Sequence, residues 1–272
     1  MNTIIGIDLG GTITKIVGFK DKRLSGSLSV RANDPVASLY GALGKFLSQH
    51  ELQLSDISKI MVTGVGSSFI SGNLFEIPTG KVDEFNALGS GGLYLSGLKK
   101  AIIVSMGTGT AIVSASDGKY THVGGSGVGG GTMLGLSNRM LNVRNVDDLV
   151  EMAKEGNLAN VDLFISDMSK DPLPGLPADT TASNFGKIND MASKADIALG
   201  ILNLVFQTIG MLCIFSCRID NIPDVVVTGK LANIPQFMDV AARLENLYNV
   251  NFINPEFAEY ATAAGAALCA DC

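Results

Sequence analysis

Ile4-Ile-Gly-Ile-Asp-Leu-Gly-Gly-Thr-Ile-Thr-Lys-Ile-Val17 is the stretch on which the reading of this chain turns. An apolar run ends in Asp8, the chain turns at Gly10-Gly11, and β-branched residues resume through Phe19. This is the pattern of a β-hairpin with an acid and a base near its tip. Such a tip suits phosphate, because glycines let backbone N–H groups approach the oxygens, while Thr12 adds a hydroxyl and Lys15 a positive charge. Asp8, at the end of a buried strand, would offer a carboxylate to a nucleotide-bound Mg²⁺. An ordinary Gly-Gly hairpin with Asp8 as a turn residue fits the same residues. A second stretch of the same design favours the phosphate reading. Ala101-Ile-Ile-Val-Ser-Met-Gly-Thr-Gly-Thr-Ala-Ile-Val113 again runs from an apolar strand through a Gly/Thr tip into another strand.

Composition sets the frame. A chain of 272 residues, 46% of them apolar and 32 of them glycine, can bury one large or two modest cores, and two domains are expected. A net charge of -6 without a basic cluster argues against nucleic acid or an anionic membrane surface as partner. The N-terminus carries no charged-then-apolar leader, so a cytoplasmic protein is expected. The most apolar segment, residues 197–215, is long enough to raise the question of a membrane span. It carries Asn203, Gln207 and Thr208 and no charge asymmetry, which favours a buried helix. Cys213 and Cys217 on that segment, and the terminal Cys269 and Cys272, have no companion histidine cluster and read as reduced thiols.

Along the chain, residues 24–30 alternate as a third strand, 35–50 have helical spacing, and 57–62 form a strand. That strand ends in Thr63-Gly64-Val65-Gly66, a loop of the kind that lines the ligand crevice of open α/β sheets. Helical spacing resumes after Lys81, with Asp83 and Glu84 side by side at its start. A carboxylate there could orient a hydroxyl and take its proton, or both acids could merely complement the helix dipole. Gly129, Gly130 and Gly131 precede an apolar helical pattern, which would turn backbone donors toward a nucleotide or else form a flexible connector. Further on, 146–153 and 197–219 read as helices, 225–229 as a strand and turn, and 257–269 as a small-residue helix.

Together these motifs resemble the type II pantothenate kinases. The similarity is carried by Ile7-Asp-Leu-Gly-Gly-Thr-Ile-Thr-Lys-Ile-Val17, Thr63-Gly64, Val82-Asp-Glu-Phe-Asn-Ala87 and Met106-Gly-Thr-Gly-Thr110. It continues through Val123-Gly-Gly-Ser-Gly-Val-Gly-Gly-Gly-Thr-Met-Leu-Gly-Leu136 and Ala182-Ser-Asn-Phe-Gly186. The resemblance implies an α/β fold of two ribonuclease-H-like halves, as in the acetate and sugar kinase, heat-shock ATPase and actin superfamily, closing on ATP. The halves would be residues 1–98 and 99–272. It further implies that Glu84 is the catalytic base in phosphorylation of the primary hydroxyl of pantothenate. Asp8, Gly10, Gly11, Thr12 and Lys15, with Thr108, Gly109, Gly130, Gly131, Thr132, Met133 and Leu134, would contact ATP. Asp8 would serve its Mg²⁺, and Gly229 would lie near the adenosine. Thr63, Gly64 and His122 would lie on the substrate side. A homodimer would bring Thr181, on the loop 179–187, to the substrate pocket of the partner. His122 stands where the family usually carries an arginine for the substrate carboxylate, and it reads equally as a solvent-facing strand residue. A kinase for another small hydroxyl-bearing substrate, or a non-catalytic nucleotide sensor, remain as alternative functions at this stage.

Overall fold

The architecture was taken from a computed structural model that describes residues 3–31, 34–171 and 173–271. β1 (Thr3–Leu9), β2 (Ile13–Lys20) and β3 (Arg23–Arg31) form an antiparallel meander. α1 (Pro35–Gln49) follows, started by Asp34, whose side chain accepts from the Ala37 N–H, and by a proline at its first turn. β4 (Ile57–Thr63) and β5 (Thr79–Lys81) then add in parallel, giving the strand order β3-β2-β1-β4-β5. β1 is central and buried on both faces, with Ile5, Ile7 and Leu9 wholly inaccessible, which explains its unbroken apolar run.

α2 (Glu84–Ser96) leads to a second sheet of the same plan. β6 (Lys100–Met106), β7 (Thr110–Ser116) and β8 (Lys119–Ser126) repeat the meander. Next come α3 (Gly130–Leu141), α4 (Val146–Ala153) and an excursion of β9 (Leu163–Phe164), α5 (Ile165–Met168) and β10 (Thr181–Ser183). α6 (Lys194–Asp220), β11 (Asp224–Thr228), α7 (Pro235–Tyr248) and β12 (Asn251–Ile253) complete the sheet in the order β12-β11-β6-β7-β8. α8 (Ala261–Leu268) closes the chain. Two such sheets, each a meander extended by parallel strands and covered by helices, make this an α/β protein with the two-domain, actin-like ATPase fold.

α6 is a core helix. Ile201, Leu202, Val205, Phe206 and Ile209 are buried in the largest hydrophobic cluster, where α6 packs against α3, α4 and α7. Its length and hydropathy alone would also suit a membrane span, and 61% of its most apolar window is buried inside the protein instead. Cys213 and Cys217 are buried thiols in that core, and burial pushes the Cys217 thiol up to about 11. Cys272 lies outside the described residues.

The two sheets exchange helices. α2 precedes the second sheet, yet it packs upon it, with Leu88 among Ala101, Ile103, Val113 and Val226. α8 follows the second sheet but packs on the first, its Ala263, Ala264 and Ala267 against Val17 and Phe19. The two helices cross with backbones touching: a Cβ on Gly91 would lie 1.8 Å from the Ala261 carbonyl oxygen, and one on Gly265 1.7 Å from that of Ala87. Only glycine permits this approach. The expected helix over 257–269 is divided, because Phe257 adopts φ +60° and a 3-10 turn, Ala258–Tyr260, precedes α8. The excursion β9–α5–β10 was not expected, since strands of two and three residues are too short to show a period.

Candidate active site

The antiparallel register of β1 and β2 places Asp8 directly opposite Lys15, and the Lys15 Nζ lies 3.7 Å from the Asp8 Oδ2. Burial pushes the Asp8 carboxyl above the usual carboxylate range, and the Lys15 ammonium pulls in the other direction without overcoming it. The tip itself is closed by Gly10, whose N–H donates to the Ile13 carbonyl at 3.1 Å, leaving Gly11 and Thr12 exposed. β4 ends beside Asp8, with Thr63 as its parallel neighbour. Gly64 takes φ +84°, and a Cβ there would fall 2.7 Å from the Asp8 Oδ1, so the backbone closes over the carboxylate where a side chain could not. Thr63, expected on the substrate side, has no exposed surface. Its hydroxyl is buried without a hydrogen-bond partner among the described residues, so it sits beneath the site and not in its wall.

α2 brings a second carboxylate to this tip. Asp83 caps the helix, its Oδ1 accepting from the N–H groups of Phe85 and Asn86 at 3.0 Å. Glu84 is exposed at the first turn and makes no such bond. Partial desolvation, then the negative charges of Asp8 and Asp83, raise its carboxyl above the ordinary value, against a smaller opposing effect of Lys15. Adjacent in sequence, the two acids differ in the structure: Asp83 caps the helix end, and Glu84 lies within electrostatic reach of Asp8 and Lys15. β8 runs along the same helix. Tyr120 fills the space over Gly89, where a Cβ would come within 2.3 Å of its ring. Two residues on, His122 stacks on Phe85 at 3.9 Å with an interplanar angle of 9°. His122 is exposed, and the Phe85 it stacks on follows Glu84 in α2.

The second hairpin meets the glycine block differently from expectation. The Gly130 N–H donates to the Gly107 carbonyl at 2.9 Å, the Gly131 N–H to that of Thr108 at 2.8 Å, and the Met133 N–H to that of Gly129 at 3.0 Å. The Gly130 and Gly131 donors, expected to face a nucleotide, instead staple the start of α3 to the β6–β7 turn, while the Met133 bond is the first within the helix. The glycines are needed for that contact, since a Cβ on Gly129 would lie 2.7 Å from the Thr108 oxygen. Met133 is a core residue. Thr108 is exposed at the tip with Gly131 packed against it, the Thr132 hydroxyl donates to the Gly127 carbonyl and accepts from the Gly129 N–H, and Leu134 is exposed. Gly229, at φ +87°, approaches so closely that a Cβ would lie 2.6 Å from the Met106 carbonyl oxygen, which brings the turn after β11 to the end of β6. Thr181 is not among these residues. It lies on β10, its hydroxyl within a buried cluster around Asp162. A cavity of about 270 Å³ lined by Thr3, Lys20 and His50 lies at the opposite end of β1 from Asp8, away from all of this chemistry.

The Fumble family matches residues 100–268. A type II pantothenate kinase of Bacillus anthracis is 30% identical over 243 residues, covering 85% of this chain and 83% of that protein. The chain belongs to the type II pantothenate kinase family. Another relative of that name, from Bacillus cereus (strain G9842), is 28% identical over 270 residues and 92% of each chain. Among solved structures, the activator of the 2-hydroxyisocaproyl-CoA dehydratase from Clostridium difficile, with bound ADPNP, shares the fold at a TM-score of 0.72 and 20% identity, covering 98% of this chain and 94% of that one.

In this type II pantothenate kinase, sequence reasoning passed over Phe85 and Tyr120. A Phe in a first helical turn and a Tyr in an edge strand read as packing residues, and only the crossing of β8 over α2 shows Phe85 stacked on His122 and Tyr120 seated over Gly89. Divalent metal fits the residues present. Asp8 is a buried oxygen donor whose burial Lys15 does not fully compensate, and the neighbouring Thr63 hydroxyl is unpartnered among the described residues. A single carboxylate with waters and phosphate oxygens is the donor set that Mg²⁺ favours.

Proposed function

We propose that this chain transfers the γ-phosphoryl group of ATP to the primary hydroxyl of pantothenate, the first step of coenzyme A biosynthesis. The observation that carries the reading is the Asp8–Lys15 pair across two strands with Glu84, at the start of a helix, within reach of their charges, in a chain of this family. Phosphoryl transfer needs positioned charge more than covalent chemistry. Lys15 and the exposed Gly11 and Thr12, on the turn that Gly10 closes, would hold phosphate oxygens from one side, and Thr108 and Gly109 from the other. Thr132, Leu134 and Gly229 would flank the nucleotide, with Gly130 and Gly131 acting through the staple that shapes the second turn and Met133 anchoring α3 in the core. Asp8 would hold Mg²⁺, which when bound supplies charge neutralisation on the phosphates.

Glu84 would take the proton from the pantothenate hydroxyl. Its raised affinity for a proton, caused by partial desolvation and by Asp8 and Asp83, moves a carboxylate toward the range useful for a base at neutral pH. His122, held flat against Phe85, would meet the acid end of the acceptor above Gly64. The working unit would be a cytoplasmic homodimer in which Thr181 of each chain approaches the partner's acceptor. Thr63, wholly buried, would support Asp8 instead of touching substrate. A coupled assay of ADP release tests the reading directly. Release that depends on both Mg-ATP and pantothenate is expected. Nucleotide binding without pantothenate-dependent release would instead identify a non-catalytic member, and release with a different alcohol would reassign the acceptor.

A further inference from the structure

The excursion over residues 161–187 is held by one buried carboxylate. Asp162 has no accessible surface, and no ion pair among the described residues involves it. Its Oδ1 accepts from the Phe185 N–H at 2.9 Å. Its Oδ2 accepts from the Asn203 Nδ2 at 2.7 Å and, more weakly, from the Asn184 Nδ2 at 3.4 Å and the Thr181 hydroxyl at 3.5 Å. The Asn203 Nδ2 also reaches the Thr181 Oγ1 at 3.4 Å, and the Asn184 Nδ2 reaches the Gln207 Oε1 at 3.2 Å. A buried anion compensated only by neutral donors is costly, and it persists where the surrounding geometry is over-determined.

Two features make this cluster more than an anchor of convenience. β9 and β10 pair through only two residue positions, with a register shift between them, which is too little ladder to define a conformation alone. Phe185 adopts φ +58°, an uncommon backbone state for an aromatic residue, and Asp162 holds the N–H of that residue. Asn203 belongs to α6, the rigid centre of the second core. The carboxylate therefore transmits the position of α6 to Thr181 and to the turn after it.

We infer that Asp162, with Asn203, is a positioning residue for acceptor binding, fixing Thr181 where it meets the acceptor. The inference rests on the proposed reading that Thr181 contacts the acceptor. Asp162 itself touches no substrate.

The test uses the full-length protein and separate KM values for pantothenate and ATP. Asp162→Asn sets an amide donor against the Asn203 and Asn184 donors. It is expected to raise the pantothenate KM about tenfold, the order of one hydrogen bond, with the ATP KM unchanged. The double variant Asp162→Asn/Asn203→Asp restores a carboxylate and amide pair with reversed polarity and should recover most of that loss. A structural role alone would lower the folded fraction, and so kcat, without separating the two KM values. Asn184→Ala, at the half-buried edge of the cluster, is the milder variant if the first fails to fold, with about a threefold rise expected. An unchanged pantothenate KM in the folded variants, while Thr181→Val raises it, overturns the inference and leaves the reading of Thr181 standing. An unchanged KM in Thr181→Val overturns both.

Discussion

Glu84→Gln separates catalysis from stability, and the structure sets the sign of each effect. A carboxyl whose folded-state pKa is raised binds its proton more tightly in the folded than in the unfolded state. Its contribution to stability is then present below the unfolded pKa and lost as pH rises through the folded one, so the ionised Glu84 opposes folding at neutral pH. Replacing it with a neutral isostere should leave Tm unchanged or raise it slightly. The same change removes the proton acceptor and should lower kcat by roughly 10² to 10⁴, or about 3 to 5 kcal/mol in the barrier, with ATP binding retained. Asp83 is the internal control. It accepts two backbone N–H bonds at the helix start, so Asp83→Ala should cost about 1 kcal/mol of stability and little turnover. Steady-state kinetics and thermal denaturation of both variants supply the comparison. Equal loss of kcat in the two, or a destabilised Glu84→Gln that still turns over normally, would refute the division of roles.

Asp8→Asn should abolish Mg-dependent turnover without lowering Tm, because burial already disfavours the charge it removes; normal kcat at saturating Mg-ATP would contradict the assignment. Gly91→Ala should destabilise by about 3 kcal/mol or more, since the new Cβ would lie 1.8 Å from the Ala261 oxygen, and a Tm within a degree of wild type would show that α2 and α8 separate freely. At Asp196, burial pushes the carboxyl up, but hydrogen bonds from the Asn157 and Ser193 N–H groups and from Asn160 outweigh it and hold the group at about 2. Its stabilisation is present above the unfolded value of 3.8 and lost as pH falls toward 2. The Tm advantage of wild type over Asp196→Ala should therefore shrink across that window, and a constant difference would refute it.

The sequence by itself determined what is local. Two strand–turn–strand units, the helix over 35–50, the core character of α6 and the candidacy of Asp8 and Lys15 all follow from period, glycine placement and residue type, because hairpin pairing and helical faces involve neighbours in the chain. Glu84 is singled out from Asp83 only by the family resemblance. Tertiary structure decided what depends on distant backbone. Asp83 and Glu84 are equivalent as neighbouring acids, and only the fold ties Asp83 to two backbone N–H groups and sets Glu84 under the charge of Asp8. The glycine block reads as free donors until its N–H groups meet the carbonyls of Gly107 and Thr108, more than twenty residues earlier. Likewise, Thr63 ends a strand in the manner of a crevice residue, yet the fold leaves it wholly buried beside Asp8. Asp162 carries no signal at all in one dimension, because its partners at 181, 184, 185 and 203 become neighbours only when the excursion folds back onto α6. Contacts between polar groups far apart in the chain leave no period, so their geometry exists only once the chain has closed on itself.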